Sequence, residues 1–288
     1  MGTSQSSGGP GGGVPMVPPW TPAPPPGGPD PQPDGDGANP DAPDAPDAPP
    51  EAAPAPAPAP QPAPLAPPGR FLGVRRNIGE FARTGDQRAL QRSLGQYART
   101  GYGGSGTATR RMGGTAATAG ALASALGGLA AGGPPISGVD AASLAGKDAG
   151  EVMDALVEAV RPVDGTQDAE AERASIRDAL SELLTTHPNA DLVNLSPEER
   201  AFAVERFTAS DVFRRFDLDV GKALRDSAPS ATTALARLKE VRDYIRETVA
   251  SSFRKLQQAG QSLTTGRVSQ IVRAALRETF VVFEGYGE

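Results

Sequence analysis

The 288-residue chain has no cysteine and one histidine, and both shortages narrow its chemistry. Without cysteine there is no disulfide, no thiolate zinc site and no thiol nucleophile. The lone imidazole, His187, precedes Pro188 at an expected helix end, where capping carbonyls is the ordinary role and proton transfer the exceptional one. Long apolar runs are also missing. The longest weakly polar stretch, Gly113 to Gly133, is mostly Ala, Gly and Thr around Leu122, Leu126 and Leu129, too poor in large side chains for a membrane span. The first twenty residues show neither the basic nor the apolar region of a secretion signal, so the expected location is cytoplasmic. No segment of strand period competes with the helical patterns described below.

Charge is unevenly placed. Residues 1–69 hold seven acids (Asp30, Asp34, Asp36, Asp41, Asp44, Asp47, Glu51) and no Lys or Arg. Their repeats of Pro with Ala, Gly and Asp bury too little apolar surface to offset the entropy of ordering, which predicts a disordered acidic tail. At ~3.1 Å per residue such a tail reaches ~200 Å when fully stretched. One apolar island interrupts it, with Val14, Met16, Val17 and Trp20, the only tryptophan. That island is expected either to dock into a partner's groove or to remain solvated. The sign then reverses. Between Arg70 and Arg111 nine arginines face only Glu80 and Asp86. The candidate anion or partner surface is Arg75, Arg76, Arg83, Arg88, Arg92, Arg99, Arg110 and Arg111, and three roles stand open for it: the acidic tail, a nucleic acid or an acidic partner, beside plain solvation.

The expected fold class is all-α, a multi-helix domain behind a long Pro/Gly/Ala-rich tail. Three segments are drawn: 1–69, the tail; 70–133, an Arg-rich helical hairpin, a Gly-rich loop and an Ala/Gly helix; and 134–288, a helical domain. Phe71, Val74, Ile78 and Phe81 set the first helix, and Leu90, Leu94 and Tyr97 the second, after the turn Thr84-Gly85-Asp86. Val152, Leu156 and Val160 mark a helix stopped near Pro162, and Thr166 is the expected N-cap of a long one. Ser196-Pro-Glu-Glu199 reads as a capping box with Pro at the first helical position. Pro229-Ser230 opens the longest helix, with an apolar face from Leu235 and Leu238 through Leu256, and Val268 to Phe283 forms the last.

Other candidate sites read as local structure. Asp217 and Asp219 have D-x-D spacing at an expected break between helices, where Asp serves the backbone, so no metal site is assigned. Asp164-Gly165 and the acids after it lack calcium-loop spacing. The loop Gly101 to Gly106 lacks the phosphate-loop pattern, although Arg110 and Arg111 after it could clamp a phosphate. Position 2 carries more chemistry. Gly2 permits removal of Met1 and leaves an unhindered amine of pKa ~7.7–8.0, partly uncharged at neutral pH. Met1 to Ser6 also fits a myristoylation pattern, a short and weak one.

MGTSQSSGGPGGG with VPPW, RRNIGEFARTGDQRALQRSLGQYARTGYGGSGTATRRMGGTAATAGAL, VRPVDGTQDAEAERASIRDALSELL and the close KEVRDYIRETVASSF through VFEGYGE together resemble the QatB family, the second component of the four-protein Qat anti-phage system of bacteria. The resemblance implies a non-catalytic subunit without cofactor, not an enzyme. It also implies its partners: an ATPase, a QueC-like protein (QatC) and a TatD-like nuclease. QueC-type enzymes activate the carboxylate of a 7-deazaguanine with ATP, so Gly2 is the implied substrate amine. The alternatives are a nucleic-acid-binding adaptor using the Arg block and a lipid-anchored protein.

Overall fold

A computed structural model describes residues 69–135, 137, 139–261, 263 and 266–286, and among these there are helices and no strands. The expected tail, all but its last residue Gly69, therefore lies outside the described residues. The helices are α1 (Leu72–Thr84), α2 (Gln87–Gln96), α3 (Ser105–Arg111), α4 (Gly113–Ala130), α5 (Ala141–Leu144), α6 (Ala149–Val160), α7 (Gln167–Thr186), α8 (Pro197–Phe216), α9 (Lys222–Ser227), α10 (Ala231–Gln258) and α11 (Val268–Glu284). Two π-helical turns, Tyr97–Gly101 and Asp217–Gly221, follow α2 and α8 directly.

Local signals explain most boundaries. Gly85 takes a left-handed φ of 74° and closes α1, and the Asp86 side chain accepts from the Arg88 amide to open α2. Thr166 caps α7 by accepting from the Ala169 amide, and Ser196 with Glu199 forms the reciprocal capping box of α8. Such a cap satisfies amides with no intrahelical partner, so Ser196→Ala is expected to cost about 1 kcal/mol. The check is a lowered denaturant midpoint with an unchanged slope.

The helices close on one cluster of buried side chains running from Phe71 to Phe283. Phe81, Phe207, Phe216, Phe280 and Phe283 are fully buried, each supplying about 2–3 kcal/mol of transfer free energy. The Ala/Gly helix α4 packs against α6, α8 and α11, and its small residues permit close approach. A Cβ on Gly120 would lie 2.2 Å from Ser269 Oγ of α11.

Two expectations are corrected. Leu235, expected on the apolar face of α10, is 69% exposed, because the buried seam runs through Ala234, Val241, Ile245 and Val249 and leaves Leu235 about 100° to one side. The break expected at Asp217 and Asp219 is instead a π-helical turn that carries α8 into α9 without interruption.

Candidate functional site

Two clusters of polar side chains lie inside the helical unit. The first joins the π-helical turns. Tyr97 and Tyr102 both donate to Asp219 Oδ2, at 2.9 and 3.1 Å, so the extra residue in each turn aims its side chains at the other. The rings belong to an aromatic stack: Tyr97 lies 5.7 Å from Phe71 and 4.9 Å from Phe216. Arg75 donates to the Asp219 carbonyl, and Arg70 sits 4.6 Å above the Phe71 ring. Burial, with the nearby Asp219 charge, pushes the Tyr97 phenol well up and the Tyr102 phenol to about 12. Both therefore stay protonated donors at neutral pH. Burial also raises Asp219, while the two phenols stabilise its charge. The cluster clamps α2 to the junction of α8 and α9.

The second cluster lies under α4. Thr115 donates to Asp211 Oδ2 at 2.6 Å and Thr118 to Glu172 Oε2 at 2.9 Å. Two guanidinium groups hold the carboxylates: Arg161 Nε lies 2.7 Å from Glu172, and Arg215 lies 3.2 Å from Asp168, 3.8 Å from Asp211 and 3.9 Å from Glu172. Asp211 is fully buried and its Oδ1 has no hydrogen-bond partner among the described residues. An unpaired buried carboxylate oxygen is costly.

Burial pushes the Asp211 carboxyl up to about 6. Its unfolded value is ~3.9, so folding favours the protonated form, and the resulting penalty is of order 3 kcal/mol. The penalty is fully present above about pH 6 and is relieved as pH falls through the window toward 4. Asp211→Asn is expected to flatten that part of the profile. Urea denaturation of both proteins between pH 5 and 7 checks it, and parallel profiles would count against it.

The remaining sequence candidates fall as follows. Gly2 and the island Val14, Met16, Val17 and Trp20 lie outside the described residues. Arg75, Arg76 and Arg83 are exposed on α1, Arg88 is exposed on α2, and Arg110 and Arg111 are exposed on α3; Arg99 is half-buried in the first π-helical turn. Within the block, only Arg92 makes an ion pair among the described residues, to Glu80 at 3.3 Å and Asp86 at 3.8 Å. Most arginines elsewhere behave differently, among them Arg161, Arg173, Arg177, Arg206, Arg214 and Arg215, which all meet carboxylates.

His187 occupies the C-cap of α7, and its ring packs edge-on against Phe202 at 5.2 Å. Asp164 accepts from the Thr166 amide and hydroxyl, which lowers its pKa and supports the N-cap. In the Gly-rich loop, Gly104 has a φ of 97°, and the first amide of α3, Ser105, is taken by the Glu284 carboxylate. No group of three or more metal-binding side chains occurs among the described residues. None of their helices is long and apolar enough to cross a membrane.

Sequence reasoning missed Glu172 and Asp211. The signal was present: Glu172 shares a stripe with Ala169 and Ile176, and Asp211 with Val204 and Thr208, so each acid stood at a core position.

Fold and site together define a helical protein whose internal charges are committed to its own packing and whose Arg-rich helices, Arg92 apart, leave their cations without carboxylates among the described residues. The chain belongs to the QatB family: the model described as "Qat anti-phage system associated protein QatB" matches residues 103–283. No curated protein and no solved structure matches it. The family places the chain in anti-phage defence, in association with other Qat components.

Proposed function

We propose that the chain is a non-catalytic subunit of the defence complex and that its N-terminal glycine is the substrate of a QueC-like partner. The observation that carries the reading is family membership joined to a glycine at position 2. In the proposed step ATP converts the carboxylate of a 7-deazaguanine into an acyl adenylate and releases pyrophosphate. The uncharged Gly2 nitrogen then attacks the acyl carbon, AMP leaves, the nitrogen loses a proton, and an amide joins nucleobase to protein. Three features of the sequence suit this. The amine is unhindered, the residues from Gly2 to Val14 carry no side-chain charge, and the 68 residues from Gly2 to Gly69 let the amine reach a recessed site. Val14, Met16, Val17 and Trp20 would raise the local concentration of the tail at that partner.

The subunit works with the other Qat components, an ATPase, the QueC-like protein and a TatD-like nuclease, in the cytoplasm. The test is peptide mapping of the N-terminal fragment after co-expression with those proteins. An adduct of deazaguanine mass on Gly2 is expected; an unmodified glycine in a system that still blocks phage, or a myristoyl mass there, would refute the reading. A second reading, a nucleic-acid adaptor, draws on the arginines without carboxylate partners. It predicts tight DNA or RNA binding that falls steeply with salt.

A further inference from the structure

The helices α3 and α11 pack side by side, and their register is fixed at two points. The Ser105 amide meets the Glu284 carboxylate at one end, and Gly120 of α4 meets Ser269 further along. Sequence number therefore rises along α3 and α4 as it falls along α11, which brings Arg110 and Arg111 beside the turn that carries Arg277. On α11, Arg273 and Arg277 are one turn apart, both exposed, and Val281 continues the stripe at 46% exposure. Arg273 projects toward the flank that holds Ser269 and Glu284, the flank that α3 and α4 occupy. None of these four arginines meets a carboxylate among the described residues, whereas Lys255 and Glu278 pair on the opposite flank. The surface around them is open, since a Cβ on Gly106 or Gly113 would meet nothing within 4 Å.

We infer that Arg110, Arg111, Arg273 and Arg277, around Val281, form a docking face for an acidic protein surface. The inference rests on the reading of the chain as a subunit of a complex and adds the face by which it joins. Two observations favour a protein over a nucleic acid. An exposed valine continues the cation stripe, and guanidinium groups beside an apolar anchor are the composition of a protein interface. The nearest rings, Tyr102 and Phe280, are buried, so no aromatic side chain is available for stacking on bases. Arg111 is held 5.9 Å from the centre of the Tyr102 ring, which limits the freedom it would lose on binding. Guanidinium forks suit carboxylates in a bidentate geometry that an ammonium does not reproduce. Two of the four residues lie more than 160 positions from the other two, and all four fall inside the matched segment 103–283.

The experiment uses the full chain and the quadruple variant R110E/R111E/R273E/R277E, each co-expressed with one companion Qat protein at a time and captured at about 0.15 M salt. Wild type is expected to retain at least one companion, and the variant to retain it at least about tenfold less, a loss in the range of interface charge reversals. The thermal midpoint should be unchanged, because all four side chains are exposed. Retention by the variant equal to wild type, or retention of no companion by wild type, overturns the inference. A labelled 20-base-pair duplex and a 20-nucleotide single strand form the other arm. Tight binding of either by wild type, with a salt slope about 3–4 steeper than that of the variant, would assign the face to nucleic acid and overturn it as well. Retention by the variant equal to wild type, with Gly2 still modified, would reject this face alone and leave the substrate reading standing.

Discussion

Gly2→Leu is expected to abolish both the N-terminal adduct and phage defence while leaving the helical unit folded. A bulky residue at position 2 acts twice: it hinders removal of Met1, and it crowds the nitrogen that must approach an acyl carbon closely. Neither effect reaches the helices, whose described residues begin at Gly69. The melting transition should therefore match wild type. Gly2→Ala is the informative companion, since it permits Met removal and adds one methyl group, so it should retain part of the modification. Trp20→Ala should slow the reaction less than Gly2→Leu if the apolar island only raises effective concentration. The readouts are the mass of the N-terminal fragment and plaque counts on cells carrying the whole system. Full defence with Gly2→Leu and no adduct would separate the two and defeat the proposal.

Helix termini were the most readable part of the fold, and the reason is locality. Ser196 and Glu199, or Asp86 before α2, satisfy amides within four residues, so the signal and its structural consequence occupy the same short stretch. The π-helical turns were not readable. One extra residue in a helix changes neither composition nor apolar spacing enough to register, and Asp219 draws its meaning from Tyr97 and Tyr102, more than a hundred positions away. The Arg-rich block was visible as a count of charges. Its division between α1, α2 and α3, and the addition of Arg273 and Arg277 from α11, depend on which helices pack together. Leu235 shows the converse: residue type points a large apolar side chain to the core, where phase around the helix puts Ala234.

Arg215→Met is expected to produce the largest loss of stability of any single change in the helical unit outside its apolar core. The Arg215 side chain is only 14% exposed and lies within 4 Å of three carboxylates, those of Asp168, Glu172 and Asp211. Glu172 keeps Arg161 at 2.7 Å when Arg215 is gone. Asp211 keeps only the Thr115 hydroxyl, so the damage concentrates on a carboxylate with no access to water. Leaving such a charge without its partner costs roughly 3–5 kcal/mol, a large share of the ~5–15 kcal/mol that holds a typical domain folded. The sign of the pH dependence identifies the cause. Burial already raises Asp211 to about 6, and removing the nearby cation raises it further, so protonation relieves the variant more than wild type. The difference between the two proteins should therefore be greatest near pH 8 and shrink toward pH 5. Asp211→Asn in the Arg215→Met background should recover part of the loss, giving a double variant more stable than the sum of the single effects predicts. Equal losses at both pH values, with strictly additive effects in the double variant, would mean that Arg215 contributes by filling space and that the charge of Asp211 is compensated elsewhere.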